Sequence, residues 1–296
     1  MQRRDFIKTS VVTAAALRVS PRTDAASAGP KSGKPRASWI DTNVTLFQWP
    51  FRRFPLDATD RLLKKMDQHG IVQAWAGSFE GILQRDIRSV NDRLAQECAR
   101  HPGRFVPFGT INPTLPGWEA DIQYCHEHHR MRGIRLHPNY HGYTLKDPRF
   151  AGLLALATER GLVVQLAVVL EDTRTHHPMT VAPDVDLAPL PDILAAILKA
   201  RLVLLNSVNN TAKALTSPLF KRLFETSGVY YDISRVEGVA AVGNMMRQFP
   251  SDRVLFGTHA PFFIYESAVI KLYEADLSDA EIHAIATVNP QRVLEA

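Results

Sequence analysis

The chain has 296 residues, 45% hydrophobic and 22% charged, with a formal net charge of +5, a balance that excludes a disordered or fibrous polypeptide and fits a soluble globular one. The positive charge is local: in the first 36 positions Arg3, Arg4, Lys8, Arg18, Arg22, Lys31, Lys34 and Arg36 stand against Asp5 and Asp24, which leaves the rest near −1. Binding to nucleic acid loses its main support, and no nucleic-acid partner is expected.

The chain opens on Arg3-Arg4 with Phe6 and Lys8, a weak apolar run from Val11 to Leu17, and Ala26-Ser27-Ala28. That order predicts a twin-arginine-type signal peptide over 1–28, a linker over 29–37, and export to the periplasm or cell exterior. Arg18 cuts the apolar run short of a bilayer span, and no later run is long enough, so the mature chain is expected to carry no transmembrane segment. Cys98 and Cys125 offer neither a disulfide framework nor a thiolate metal spacing; core packing is their expected role, with a mutual disulfide left open.

From Ser38 onward apolar runs alternate with helix-period segments. The strands are expected at Ser38 to Asn43, Ile71 to Gly77, Arg104 to Ile111, Gly133 to Pro138, Leu162 to Val169, Arg201 to Asn206, Val229 to Ser234 and Arg253 to His259. Helices are expected between them, and a capping box at Ser278 and Glu281 opens the second of two in the tail. Eight short apolar strands separated by helices predict a parallel (β/α)8 TIM barrel, one domain over 38–296. No Gly-rich phosphate loop follows the first strand, so a dinucleotide fold has no positive signal.

In such a barrel the chemistry gathers where the strands end. Polar residues stand there repeatedly: Asp41 and Asn43 at the first strand, Arg135 and His137 at the fourth with His141 in its loop, and Gln165 at the fifth with Glu171 and His177 after it. Asn206 closes the sixth strand, Asp232 the seventh and His259, in VLFGTHAPFF, the eighth. Burying such groups without partners costs about 1–3 kcal/mol each, so their recurrence predicts a functional pocket for a small molecule. Trp49, Phe51, Trp75, Phe262 and Phe263 are candidate rim aromatics; Arg52 and Arg53, between Phe51 and Phe54, are read first as solvated surface, with anion hooks at the mouth as the alternative.

I-D-T-N at the first strand, GIRLHP at the fourth, FGTHAP at the eighth and the closing VNPQRVL together resemble the amidohydrolase-related metal-dependent hydrolases, in the branch of decarboxylase-like and lactonase-like enzymes. The resemblance implies a divalent-metal site whose ligands fall at Asn43, Thr45, Ala167, Asn206 and His259 in this chain. Asn and Thr offer neutral oxygens and Ala offers nothing, so the usual metal is not expected there and no cofactor is assigned. A relocated metal held by His137, His141, Glu171, His177 or His259 stays open, without a supporting spacing.

The expected activity is therefore hydrolysis of a small oxygen-rich carboxylate, lactone or sugar-derived substrate by side-chain acid–base catalysis, with a relocated-metal hydrolase or decarboxylase and a non-catalytic binding barrel as alternatives. His259 is the expected acid or base, Arg135 and His137 the oxyanion donors, and Glu171 with His177 the opposing pair. Asp41, Asn43, His141, Gln165, Asn206 and Asp232 are the expected substrate-binding residues. The oligomeric state is left open.

Overall fold

The computed structural model describes residues 38–172, 174–208 and 211–295. The expected signal peptide and the linker to residue 37 lie outside them.

The eight strands are β1 (Trp39–Leu46), β2 (Ile71–Ser78), β3 (Phe105–Thr110), β4 (Gly133–Leu136), β5 (Val163–Ala167), β6 (Arg201–Leu205), β7 (Val229–Asp232) and β8 (Val254–Leu255). They pair in parallel in chain order. Short β8 is extended by the backbone beyond it: Thr42 N–H donates to the Phe256 carbonyl and Thr45 N–H to that of Ala260, both at 2.9 Å. These bonds bring β8 back to β1, giving the expected TIM barrel.

Strands such as VVQLA and RLVLL have both faces covered, as parallel strands require. The helices between them bury one stripe each; Thr59–Gln68 turns Leu62 and Met66 inward, and Ser278 and Glu281 form the expected capping box. Inside the barrel, Ile40, Trp75, Phe108, Val163, Val203, Leu205 and Leu255 fill the lower layers. Trp75 stacks on Phe108 with centroids 5.1 Å apart, so it is floor rather than rim. Cys98 and Cys125 are buried free thiols that burial pushes up to about 12, which suits packing. Among the described residues no helix is long and apolar enough to cross a membrane.

Two departures from the expected elements shape the site. β4 ends at Leu136, because Pro138 opens a helical turn, Pro138–His141. A second apolar cluster, Trp49, Phe79, Ile82 and Leu170 with Phe51, Phe54, Tyr140 and Phe262, is built from segments that follow strand ends, and it roofs the carboxyl end.

Candidate active site

Arg135, 2% exposed, lies inside the barrel and spends its donors on the barrel itself. Nε donates to Gln165 Oε1 at 2.8 Å, Nη1 to the Val44 carbonyl at 2.9 Å and Thr45 Oγ1 at 3.1 Å, and Nη2 to the Trp75 carbonyl at 3.2 Å. Gln165 Nε2 continues the chain to the Thr42 carbonyl at 2.7 Å. Gly77 leaves the room this needs, since a Cβ there would lie 2.7 Å from Arg135 Nη1. The expected substrate-facing roles of Arg135 and Gln165 are corrected accordingly: both brace the strands, because their polar atoms already have protein partners.

A second network occupies the next layer. Asn43 Nδ2 donates to Asn206 Oδ1 at 2.9 Å and Asp232 Oδ2 at 2.6 Å, while Asp232 Oδ1 accepts the Asn206 backbone N–H at 2.8 Å. Asn206 Nδ2 donates to the Val169 carbonyl at 2.7 Å, and Ser234 Oγ donates to Asn206 Oδ1 at 2.6 Å. His259 Nε2 sits 2.6 Å from the Leu170 carbonyl and Nδ1 3.4 Å from Asn206 Nδ2, so Nε2 carries the proton and Nδ1 accepts. Burial lowers the His259 imidazole to about 3. Both nitrogens being committed, His259 does not fit the acid–base role expected of it, and Asn43, Asn206 and Asp232 face one another instead of a ligand.

Asp41 also departs from the period-two expectation. A register irregularity between Asp41 and Val44 separates it from Asn43. Its carboxylate accepts from Thr258 N at 3.0 Å, Thr258 Oγ1 at 2.6 Å and Asn43 N at 3.0 Å, tying β1 to the segment beyond β8. Burial raises its pKa from 3.8 to about 7, against those hydrogen bonds and with a smaller push from Asp232; Tyr265 and Arg135 are also titratable neighbours. A raised folded pKa means stability that is present below the unfolded value and lost as pH rises toward 7. Asp41→Asn, uncharged and isosteric, is expected to flatten the pH dependence of the urea midpoint between about pH 4 and 7. An unchanged slope would count against this assignment; Asp232, also raised by burial, accounts for any slope that remains.

Buried polar atoms without partners are rare, and each calls for a reason. Here many belong to segments that leave the strand ends: Trp49 Nε1, Arg52 Nε, both ring nitrogens of His137 and His176, His141 Nδ1 and both Glu171 oxygens lack hydrogen-bond partners. His137 and His141 stand one helical turn apart, centroids 6.0 Å. His141 Nε2 lies 2.9 Å from the Gly81 carbonyl, which leaves Nδ1 as a free acceptor. Burial first, then the charges of His141, Arg135 and His259, holds the His137 imidazole well below 6.5, so it is neutral at pH 7. Tyr140 carries the roof over this turn, its ring edge-on to Trp49 at 6.3 Å.

Glu171, 2% exposed, forms an ion pair with Arg52 at 2.9 Å, although hydrogen-bond alignment is missing. The Arg52 guanidinium lies over the Phe54 ring at 4.8 Å and the Phe262 ring at 5.6 Å. Burial raises the Glu171 carboxyl, while Arg52, His176 and Trp49 pull it back. The expected Glu171–His177 pair is not assembled: His177 is exposed, caps the turn at Pro178–Thr180 and packs on Phe51 at 5.2 Å. Beside the Arg52–Glu171 pair opens a cavity of about 220 Å³ lined by Arg52, Leu170, Glu171, Arg174, Phe262 and Phe263, among others.

The model of the amidohydrolase family matches residues 50–296. The chain belongs to the amidohydrolase family. A search of curated proteins returns no match to the sequence. Among solved structures, 5-carboxyvanillate decarboxylase of Sphingomonas paucimobilis superposes with a TM-score of 0.69 at 16% identity, over 87% of this chain and 99% of that one. The 2,6-dihydroxybenzoate decarboxylase of Rhizobium gives 0.67 at 16% identity over 87% and 98%. The 5-carboxyvanillate decarboxylase of Novosphingobium aromaticivorans, solved with bound manganese, gives 0.69 at 15% identity over 88% and 97%. At these identities the likeness concerns the fold.

In this member of the family the positions at which the resemblance places metal ligands do not fit a divalent metal. Thr45 Oγ1 accepts from the Arg135 guanidinium, Asn43 donates to Asn206 and Asp232, Asn206 donates to the Val169 carbonyl, and His259 has no free lone pair. A cation there would meet a guanidinium and committed amides. Nor is there, among the described residues, a group of three His, Cys, Asp or Glu placed to hold a metal elsewhere.

Proposed function

We propose that this amidohydrolase cleaves a small ring-bearing carboxylate by side-chain acid–base chemistry, with His137 as the group that moves the proton. The observation that carries the proposal is the His137 ring, 2% exposed with both nitrogens unpartnered beneath an aromatic roof. A structural histidine uses its nitrogens as His259 does; His137 keeps one lone pair and one N–H for a reacting molecule.

Arg52 anchors the substrate carboxylate by exchanging its loosely aligned Glu171 partner for the ligand. A substrate anion held close to His137 would oppose the shift that burial imposes and raise the basicity of the imidazole. His137 then takes a proton from water attacking the ester carbonyl of a lactone. The unpartnered Arg52 Nε–H supplies a donor to the developing oxyanion, and Glu171, whose carboxyl burial raises, gives its own proton to the leaving oxygen while His137 keeps the proton taken from water.

Decarboxylation of an aromatic acid is the second reading, favoured by the aromatic roof and by the named activities of the structural neighbours. In it Glu171 delivers its proton to the ring carbon bearing the carboxylate, and that carboxylate leaves as CO2. A panel of carboxylated lactones and hydroxybenzoates, read for acid release and CO2 release with and without EDTA, tests both. Chelator-resistant turnover is expected; no turnover anywhere in the panel would favour a binding barrel. On the strength of its leader alone, we place the enzyme outside the cytoplasm.

A further inference from the structure

We propose that an anion recruited by Arg52 is bound together with one proton from solvent, which Glu171 takes up; the inference rests on the anchoring role given to Arg52 above. Glu171 stands here as the anion of an ion pair, whereas giving a proton in turnover needs it protonated. Ligand binding itself supplies that proton.

Arg52 and Glu171 line the same cavity of about 220 Å³. The Glu171 side chain is 1% exposed and that of Arg52 33%, so a fixed inner carboxylate is met by a guanidinium reaching in from outside. Their contact is close at 2.9 Å, yet neither Glu171 oxygen has an aligned hydrogen bond to hold it. A ligand carboxylate at this guanidinium sets two carboxylates on one cation in a desolvated place, where like charges do not both stay ionised. The neighbouring cation is not free to take over, because Arg174 is held by Asp172 through Nε at 2.9 Å and Nη2 at 2.6 Å. Tyr140, on the turn after β4, donates to the Thr180 carbonyl at 3.2 Å, and burial, then Glu171, pushes its hydroxyl up to about 12. From beyond β8 come apolar Phe262 and Phe263, with His259 against both rings and its nitrogens committed. His137 and His141, on the turn that carries Tyr140, and His176, on the loop of Glu171, are the competing acceptors. Glu171 is the group in contact with the recruited guanidinium. Burial raises its carboxyl and Arg52 is the first charge that opposes this, so engaging Arg52 elsewhere lets burial prevail. The exchange balances: a Glu171 carboxylate paired with Arg52, a ligand carboxylate and a proton become a Glu171 carboxylic acid and a ligand paired with Arg52.

Calorimetric titration of the full chain with benzoate between about pH 6 and 8, in buffers of different ionisation enthalpy, counts the protons exchanged; benzoate itself is ionised there. Wild type is expected to absorb up to about one proton per benzoate, so its affinity falls as pH rises, by at most about tenfold per pH unit. Glu171→Gln, uncharged at every pH, should bind without proton uptake, with an affinity that does not fall with pH and exceeds that of wild type at the alkaline end. His176→Gln should keep the uptake. Binding to wild type without uptake would overturn the inference and leave the anchoring by Arg52 standing, as would uptake retained in Glu171→Gln, which would assign the proton to His137 or His141. Uptake lost in His176→Gln would move the proton to that ring and equally overturn the inference. Should Glu171→Gln fail to fold, wild type and His176→Gln decide. No binding of benzoate to wild type, or undiminished binding in Arg52→Gln, would remove the anchoring and the inference with it.

Discussion

His137→Ala is expected to lower turnover on any substrate that the panel reveals by about 10²- to 10⁴-fold, the usual contribution of a positioned proton-transfer group. Its melting temperature should change little, for the same reason that makes the residue suspect. Neither ring nitrogen has a partner, so truncation breaks no hydrogen bond, and relief of an unpartnered buried group offsets the small cavity left behind. The pH profile adds a signature. With the imidazole held well below 6.5, kcat/KM should not fall between about pH 7 and 6, where an ordinary histidine base would be lost to protonation. His259→Ala should show the contrasting pattern, a loss of about 1–3 kcal/mol in stability from the orphaned Leu170 carbonyl. Unchanged turnover in His137→Ala, measured on folded protein, would reject the assignment.

Arg135→Met should produce the largest loss of stability, about 3–5 kcal/mol. The change leaves the Val44 and Trp75 carbonyls and Gln165 Oε1 without their donor inside the barrel. It also removes a buried cation on which two buried carboxyls act, Asp232 and Asp41, whose charges hold the Arg135 pKa up against burial; burial still lowers it to about 10. For a domain of this size the melting temperature should fall by roughly 10 °C. A shift of a degree or two in thermal denaturation would show that the guanidinium braces less than its contacts suggest.

The barrel was legible because its signal is redundant: eight apolar runs, eight helical intervals and one capping box agree on the same alternation. The strand ends were legible as a list of polar residues but not as a site, because sequence does not tell which buried polar groups satisfy one another. Asn43, Gln165, Asn206, Asp232 and Arg135 form closed networks; His137 and Glu171, drawn from the same list, do not. Asp41 was placed with Asn43 by alternation, and a bulge separates them. The His137-x-x-x-His141 spacing was visible, but its meaning depended on Pro138 starting a helical turn where a strand was expected to end. For Arg52 the weaker of two readings, a place at the mouth, is the one the contacts favour, because Phe54 and Phe262 offer it ring faces and buried Glu171 a counter-charge.

Amides and a guanidinium close the position where the resemblance places a metal, and the proposed chemistry falls to His137 instead. Thermal unfolding of EDTA-treated protein titrated with Mn²⁺ tests it most directly, because an ion bound to the folded state raises the melting temperature by mass action. The account predicts the same melting temperature with chelator, without it, and with Mn²⁺ added to millimolar levels. A saturable rise of several degrees at micromolar Mn²⁺ would contradict it.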